Sequence, residues 1–497
     1  MPDPVAAPQS PGSNRSADFC HWLGLLVIAQ LVLWTVLPWL FARSLPLDVV
    51  SDGLAWGHEW QWGYYKHPPL PSWTVEVFFD VLGDIGPFLL SQLCIAATYI
   101  FVFELGRDIL GGSRAAVGTL LLAGVYYFSI PTPEFNHNVA QMPVWAAACL
   151  CYFRAWQSGR IRWWLALGAG AGVGLLTKYS TAVLLFVLLV HFVRVRGARQ
   201  ALASVGAWLA VATCLMIVSM HVLWLLENGF PTLRYAAARA GTASALRARL
   251  DAPLKFFVSQ AVDIAPAFLL AWVAGLRPAK SAGDGKLDFL LWMTLGPPVV
   301  TVVASLVTGM GLRDMWGAPM WNLAGLAIVA SAAESWKSLA PKRLGAGIVA
   351  LFGTGLSAYV LANVLVPRME HRPSRIQWPD RALAQTFGAV WRQHVHTPLR
   401  IVAADGWLGG LVAMRAAPRP SVWTDADSRK APWVTPDEVR HYGALVLWRI
   451  RPGSTEPTVL TGLRGVKILG RESFAWPDTP GSLPLEIGYG ILPPSNR

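Results

Sequence analysis

The chain has 497 residues, of which 54% are hydrophobic and only 14% charged. Soluble globular proteins carry about 25% charged residues, so this composition excludes a disordered chain, a coiled coil and an ordinary cytosolic enzyme. The formal net charge of +12 and the 25 Trp point instead to a membrane protein with basic loops and interfacial aromatic residues.

Residues 1–18 are polar and rich in Pro and Ser, which predicts a disordered tail on the cytoplasmic side. The apolar run that follows lacks a small-residue cleavage site and reads as a retained helix. Spanning takes about 20 mainly apolar residues. Eleven segments approach that: 20–41, 86–106, 115–131, 138–153, 163–177, 180–193, 201–225, 256–276, 288–308, 317–333 and 345–366. They predict an all-α, polytopic membrane domain over 19–366. Cys20, Cys94, Cys149, Cys151 and Cys214 lie in or beside these runs, so neither a disulfide framework nor a zinc ribbon is expected.

Loop charge sets the predicted sidedness. Alternate short loops hold Arg107 and Arg114; Arg154, Arg160 and Arg162; Arg194, Arg196 and Arg199; Arg277, Lys280 and Lys286; Lys337, Lys342 and Arg343. These are placed in the cytoplasm. The opposite loops, 42–85, 132–137, 178–179, 226–255 and 309–316, hold most of the membrane part's acids. With an odd number of helices the C-terminus falls outside. After about residue 367, short β-type runs (LRIVAAD, SVWTD, ALVLWRI) alternate with helical stretches, which predicts a periplasmic α/β domain over 367–497. No phosphate-binding glycine motif follows a strand, and the basic charge has no nucleic-acid motif behind it.

The first outer loop, PLDVVSDGLAWGHEWQWGYYKHPPLPSW, concentrates chemistry. Asp48 and Asp52 are four apart and share a face if the stretch is helical. Neighbouring carboxylates raise one another's pKa, which favours a general base. Glu59 is a third acid and a candidate for substrate binding. Lys66 and His67 precede two prolines that stiffen the turn. Together they suit a base for a hydroxyl and a cation for a leaving phosphate, although an acidic outer loop with Trp, Tyr and Lys is also ordinary interfacial surface. The second outer loop clusters Glu134, Asn136, His137 and Asn138, which reads either as a sugar or acceptor site or as a polar turn with Asn caps. A divalent metal would find only Glu134 and His137 there, too few ligands for a site, so no metal or other cofactor is expected.

Lys178 stands in a two-residue turn, and Arg313 stands in a basic turn before Trp316 and Pro319. Each suits a phosphate contact, or else snorkelling for the Lys and pairing with Asp314 for the Arg. Asp263 lies inside the eighth apolar run, where an acid is usually functional or paired. Arg234, Arg239, Arg247 and Arg249 form a basic stretch that fits acidic head groups or an interfacial helix equally.

In sequence, WGYYKHPPL resembles a hallmark of the polyprenyl-phosphate-sugar-dependent GT-C glycosyltransferases. The resemblance is to the family-39/family-83-type enzymes: protein mannosyltransferase-like proteins, aminoarabinose transferases acting on lipid A and rhizobial galacturonosyltransferases. PTPEFNHNVAQMPVWA, GLLTKYSTAVLL and GLRDMWGAPMWNLAGL resemble three further segments in the same order, so the likeness covers roughly 20–335. It implies a GT-C fold in a bacterial inner membrane. It implies inverting transfer from a polyprenyl-phosphate sugar to an acceptor hydroxyl on an envelope glycolipid or protein, among membrane lipids and without nucleotide. A lipid A or lipopolysaccharide-type acceptor is favoured. An Asp of the first outer loop would be the base, here Asp48 with Asp52 as alternative, and Lys66 (with His67 as alternative), Lys178 and Arg313 would meet the phosphate. The sequence departs from the family twice: Asp48 is followed by Val49 where the family often has Glu, and His67 stands in the pre-proline slot where the aminoarabinose branch has Lys. Two other readings share the hydropathy: a transporter or lipid flippase, and a ligase using a lipid-diphosphate donor. Transporters usually place their polar groups at the bilayer midplane, whereas here those groups cluster in outer loops.

Overall fold

The computed structural model describes residues 11–195, 199, 204–240, 246–278, 285–332, 334–450, 458–461 and 463–495. Arg196 and Lys280 of the predicted basic loops lie outside them, as do the side chains of Arg239 and Arg247. The first helix, Pro11–Phe41, starts ahead of the boundary expected from composition. A proline at the first helical position sacrifices no hydrogen bond, so the Pro/Ser-rich stretch does not exclude helix there. Residues 1–10 of the predicted tail lie outside the described residues.

Among the described residues, six helices are long and apolar enough to cross a membrane: Asp18–Phe41, Ile85–Leu110, Val205–Glu227, Arg249–Val273, Gly285–Thr308 and Pro341–Glu370. Apolar side chains such as Trp208, Leu215, Met216, Phe257 and Val299 remain exposed on them, as a hydrocarbon solvent allows. The other predicted segments take other forms. Ile161–Thr177 and Thr181–Arg194 are shorter apolar helices, and His137–Ser158 starts on polar residues. Segment 115–131 is not one helix: it breaks into Gly112–Leu120 and two 3-10 turns, Leu121–Gly124 and Tyr126–Phe128. Segment 317–333 keeps α-helix only over Ala324–Ser331. Apolar run length cannot show such breaks. They are tolerated because these segments are buried in protein rather than lipid, with Leu121, Leu122 and Leu326 fully enclosed.

Helices Gly112–Leu120 and Ala324–Ser331 meet backbone to backbone. A Cβ on Gly325 would stand 1.9 Å from the Gly118 carbonyl oxygen. Gly325→Ala is therefore expected to force the pair apart and to cost about 1–3 kcal/mol, read as a lowered apparent Tm in detergent.

Several of the basic loops meet in space. Arg154 donates from Nε to Asp108 at 2.6 Å, and Arg194 stands 3.6 Å from Asp288. Asp108, Arg154, Arg162 and Lys286 line one cavity of about 860 Å3 at that end of the bundle. The acidic loops meet at the other end, as described below.

The C-terminal part is an α/β unit. Its sheet has strands β1 (Ile401–Ala404), β2 (Ser421–Thr424), β3 (Ala444–Arg449), β4 (Lys467–Phe474) and β5 (Leu485–Leu492), in the order β2-β1-β3-β5-β4. The β1–β2 and β1–β3 pairs are parallel, and the β3–β5 and β4–β5 pairs are antiparallel. The unit shares a core with the first outer loop. Leu45, Val49, Val50 and Leu54 bury against Trp378, Leu383, Leu408 and Leu411. The approach is close, since a Cβ on Gly410 would meet Val50 Cγ1 at 2.7 Å. Ion pairs tie the rim: Arg43 to Asp478, Arg415 to Asp84 at 2.7 Å and Arg381 to Asp84 at 3.4 Å. The α/β unit therefore sits on the same end of the bundle as the acidic loops.

Candidate active site

Asp48 and Asp52 do lie on a helical stretch. It is a π-turn, Val49–Leu54, with Asp48 at its N-cap. Such turns are frequent at functional sites. Asp52 is taken: its Oδ1 accepts from Lys66 Nζ at 3.0 Å and its Oδ2 at 3.4 Å. Among the described residues Asp48 has no such partner. Its backbone N–H donates to Glu134 Oε1 at 2.9 Å, which brings the first and second outer loops together. Burial first, then the carboxylates of Glu134 and Asp52, push the Asp48 carboxyl up to about 7; Lys66 and Arg375 oppose this. Burial likewise raises Glu134, against the Asp48 N–H and the charge of Arg375. Two buried acids side by side, both raised in pKa, are an arrangement suited to a general base.

Cations surround this pair. Lys178 caps the C-terminal end of Ile161–Thr177. Its Nζ donates to Asn138 Oδ1 and lies 5.9 Å from the Trp316 ring centroid. Burial lowers its pKa to about 8, opposed by the charge of Asp48. For Lys66 burial, the largest single influence, also works downward, but the Asp52 carboxylate together with Tyr65 and Tyr235 outweighs it and the ammonium is held charged. Tyr65 and Trp56 flank Lys66 at 5.4 and 5.6 Å, and Tyr65 reaches Tyr235 of helix Pro231–Ala240 at 5.6 Å. All five of the predicted outer loops thus converge here.

His67 stacks on His137, with ring centroids 4.0 Å apart. Burial first, then the charges of Lys178 and Lys66, hold His137 down to about 3, so it is neutral. Its Nε2 is buried without a hydrogen-bond partner. Two predicted binding residues have other tasks. Asn136 is the N-cap of His137–Ser158, its Oδ1 accepting from Asn138 N at 2.8 Å and Val139 N at 3.2 Å. The side-chain oxygen of Asn is well suited to that cap, and the motif alone could not separate the two roles. Glu59 turns to Ser421 of β2, with burial pushing its carboxyl up to about 7. Arg313 is exposed and forms no ion pair among the described residues.

Asp263 belongs to a polar network rather than to the carboxylate pair. It accepts from Tyr127 Oη at 2.8 Å. Gln260 Nε2 donates to the Asp314 carbonyl at 3.0 Å and Gln260 Oε1 accepts from Trp321 Nε1 at 2.8 Å. This network pins the turn that carries Arg313 and Trp316. Arg234 is exposed on its helix.

Sequence reading missed Arg375. It lies in a 3-10 turn, Arg375–Gln377, at the entry to the α/β unit. The Ile376 carbonyl accepts from Arg43 N at 2.8 Å and Ser44 N at 3.0 Å, which holds the turn against the first outer loop. Its charge bears on both Asp48 and Glu134. No local pattern marks it. Among the described residues no group of three or more His, Cys, Asp or Glu stands ready to hold a metal ion.

Residues 66–224 match the dolichyl-phosphate-mannose-protein mannosyltransferase family. Lipid A galacturonosyltransferase RgtD of Rhizobium johnstonii is 25% identical over 290 residues, and the match spans 56% of this chain and 59% of that relative. The lipopolysaccharide core galacturonosyltransferase RgtA of the same organism is 24% identical over 96% of each chain. ArnT from Cupriavidus metallidurans, solved bound to undecaprenyl phosphate, superposes with a TM-score of 0.63 at 14% identity, over 94% of this chain and 98% of that one. That last likeness is one of fold.

Proposed function

We propose that this glycosyltransferase of the GT-C fold moves a sugar, with inversion, from a polyprenyl-phosphate donor to a hydroxyl of a lipid A- or core-type envelope glycolipid. The reaction runs on the end of the bundle where the acidic loops meet, assigned to the periplasmic face of a bacterial inner membrane, with the N-terminus in the cytoplasm. The observation that carries the reading is the Asp48–Glu134 pair, raised in pKa and bordered by Lys66, Lys178 and Arg375. The relatives support the acceptor class by their names, and make a hexuronate the first sugar to test.

The steps follow from charge. Asp48 accepts the proton of the acceptor hydroxyl. The oxygen attacks the anomeric carbon from the face opposite the phosphate. The anomeric C–O bond breaks and its electron pair leaves with the polyprenyl phosphate. Lys66, Lys178 and Arg375 stabilise the growing phosphate charge in a partly dry site, where fixed charges act most strongly. Lys66→Met is expected to lower kcat/KM for the donor by about 10²–10³. Unchanged donor kinetics would transfer the phosphate role to Lys178.

The test is reconstitution of the purified protein with a polyprenyl-phosphate hexuronate and lipid A or core acceptor, followed by mass spectrometry of the glycolipid. A gain of one sugar supports the reading. Lipid flux in liposomes without transfer would favour a flippase, and turnover only with a diphosphate donor would favour a ligase.

A further inference from the structure

We propose that the α/β unit carries a second, non-catalytic site, which binds an acidic saccharide at the edge of its sheet opposite the carboxylate pair. A cavity of about 1210 Å3 opens there. Its position follows from the parallel strands. Beyond the C-terminal end of β1, Gly406 approaches Ser51 of the first outer loop. Arg400 and Tyr442 precede β1 and β3 and line the cavity, so it lies at the other end of those strands. A four-residue strand separates the two ends by about 13 Å.

The lining is cationic. Arg400 and Lys467 enter no ion pair among the described residues, and the imidazoles of His394, His396 and His441 line the cavity beside them. The one carboxylate of the lining, Asp437, is paired with Arg440. Tyr442, half-buried and 4.5 Å from the His441 ring centroid, offers an aromatic face. One wall is fixed: Ser495 donates to the Arg440 carbonyl from N at 2.9 Å and from Oγ at 3.2 Å.

Guanidinium and ammonium groups bind carboxylate or phosphate. An aromatic ring beside them takes the apolar face of a sugar, as an amphipathic surface does. The cavity exceeds the roughly 300–1,000 Å3 of ordinary small-molecule sites, which favours a ligand of several sugar units over a single anion. None of these residues touches the carboxylate pair, so the site holds part of a glycan without taking part in transfer. Preferring a saccharide to other anions rests on the acceptor class proposed above; the anion-binding character does not.

The experiment measures binding to the full-length protein in neutral-phospholipid nanodiscs. The probes are oligogalacturonate, maltotetraose and inorganic phosphate. Oligogalacturonate is expected to bind and maltotetraose not to. The double variant R400E/K467E is expected to weaken oligogalacturonate binding by about tenfold or more with an unchanged apparent Tm. Equal affinity in the variant, equal binding of maltotetraose, or phosphate binding as tightly as the saccharide overturns the proposal. Because the readout is binding, failed transfer in the reconstituted system leaves this test intact, and a negative result here leaves transfer untouched.

Discussion

Asp48→Asn is expected to lower transfer by about 10²–10⁴ while leaving the fold and donor binding intact. That is the usual worth of a positioned general base. The amide keeps the size of the carboxyl and loses only the ability to take a proton. In the wild-type protein kcat/KM should rise with pH through about 7, because the ionised form is the active one and burial beside Glu134 places its pKa there. The stability effect has the opposite sign. A carboxyl whose folded pKa is raised contributes stability that is present below its ordinary pKa and is lost as pH rises through the folded value. At pH 8 the buried Asp48 carboxylate therefore destabilises the fold, and D48N should melt no lower than wild type. Loss of activity without loss of Tm separates a chemical role from a structural one. If D48N kept a large share of its activity while Glu134→Gln abolished it, the base would be Glu134.

How much of this was legible in the sequence depends on the range of the interactions. The alternation of basic and acidic loops was legible because each loop's charge is a local property of the sequence. Asp48, Lys66, Glu134 and Lys178 were legible as residue types in acidic loops that had to share a face. Their pairing was not. Asp52 rather than Asp48 takes Lys66 because a π-turn sets the directions of the two side chains, and a π-turn leaves no mark in hydropathy. Asn136 shows the same limit at short range, since a cap and a ligand call for the same side chain. Arg375 and Arg419 were not legible at all. They reach the first outer loop from hundreds of residues away, through docking of a unit whose fold class, but not its placement, can be read from strand patterns.

That docking turns on Arg419, and Arg419→Ala is expected to be the most destabilising of these substitutions. Its Nη1 donates to Glu76 Oε1 at 2.6 Å and its Nη2 to the Leu54 carbonyl at 2.7 Å, with Phe79 under the guanidinium at 5.7 Å. Glu76 is only 1% exposed. The His58 ring nitrogen Nδ1 lies 3.5 Å from the same Glu76 oxygen. Removing one member of a buried pair strands the other charge, at about 3–5 kcal/mol. Arg419→Lys keeps the charge but loses the fork that reaches two oxygens, so it should fall between. Replacing both partners, as in R419M/E76L, removes the stranded charge and should recover much of the loss in Tm. Activity then tells the pair's purpose. Leu54 ends the π-turn that holds Asp48 and Asp52, so the Arg419–Leu54 bond fixes the turn from the α/β unit. If the pair serves only to hold the two parts together, the double variant regains transfer along with Tm. If orientation of the turn needs the Arg419 donor itself, Tm returns and kcat does not, and the pH midpoint of kcat/KM moves away from about 7.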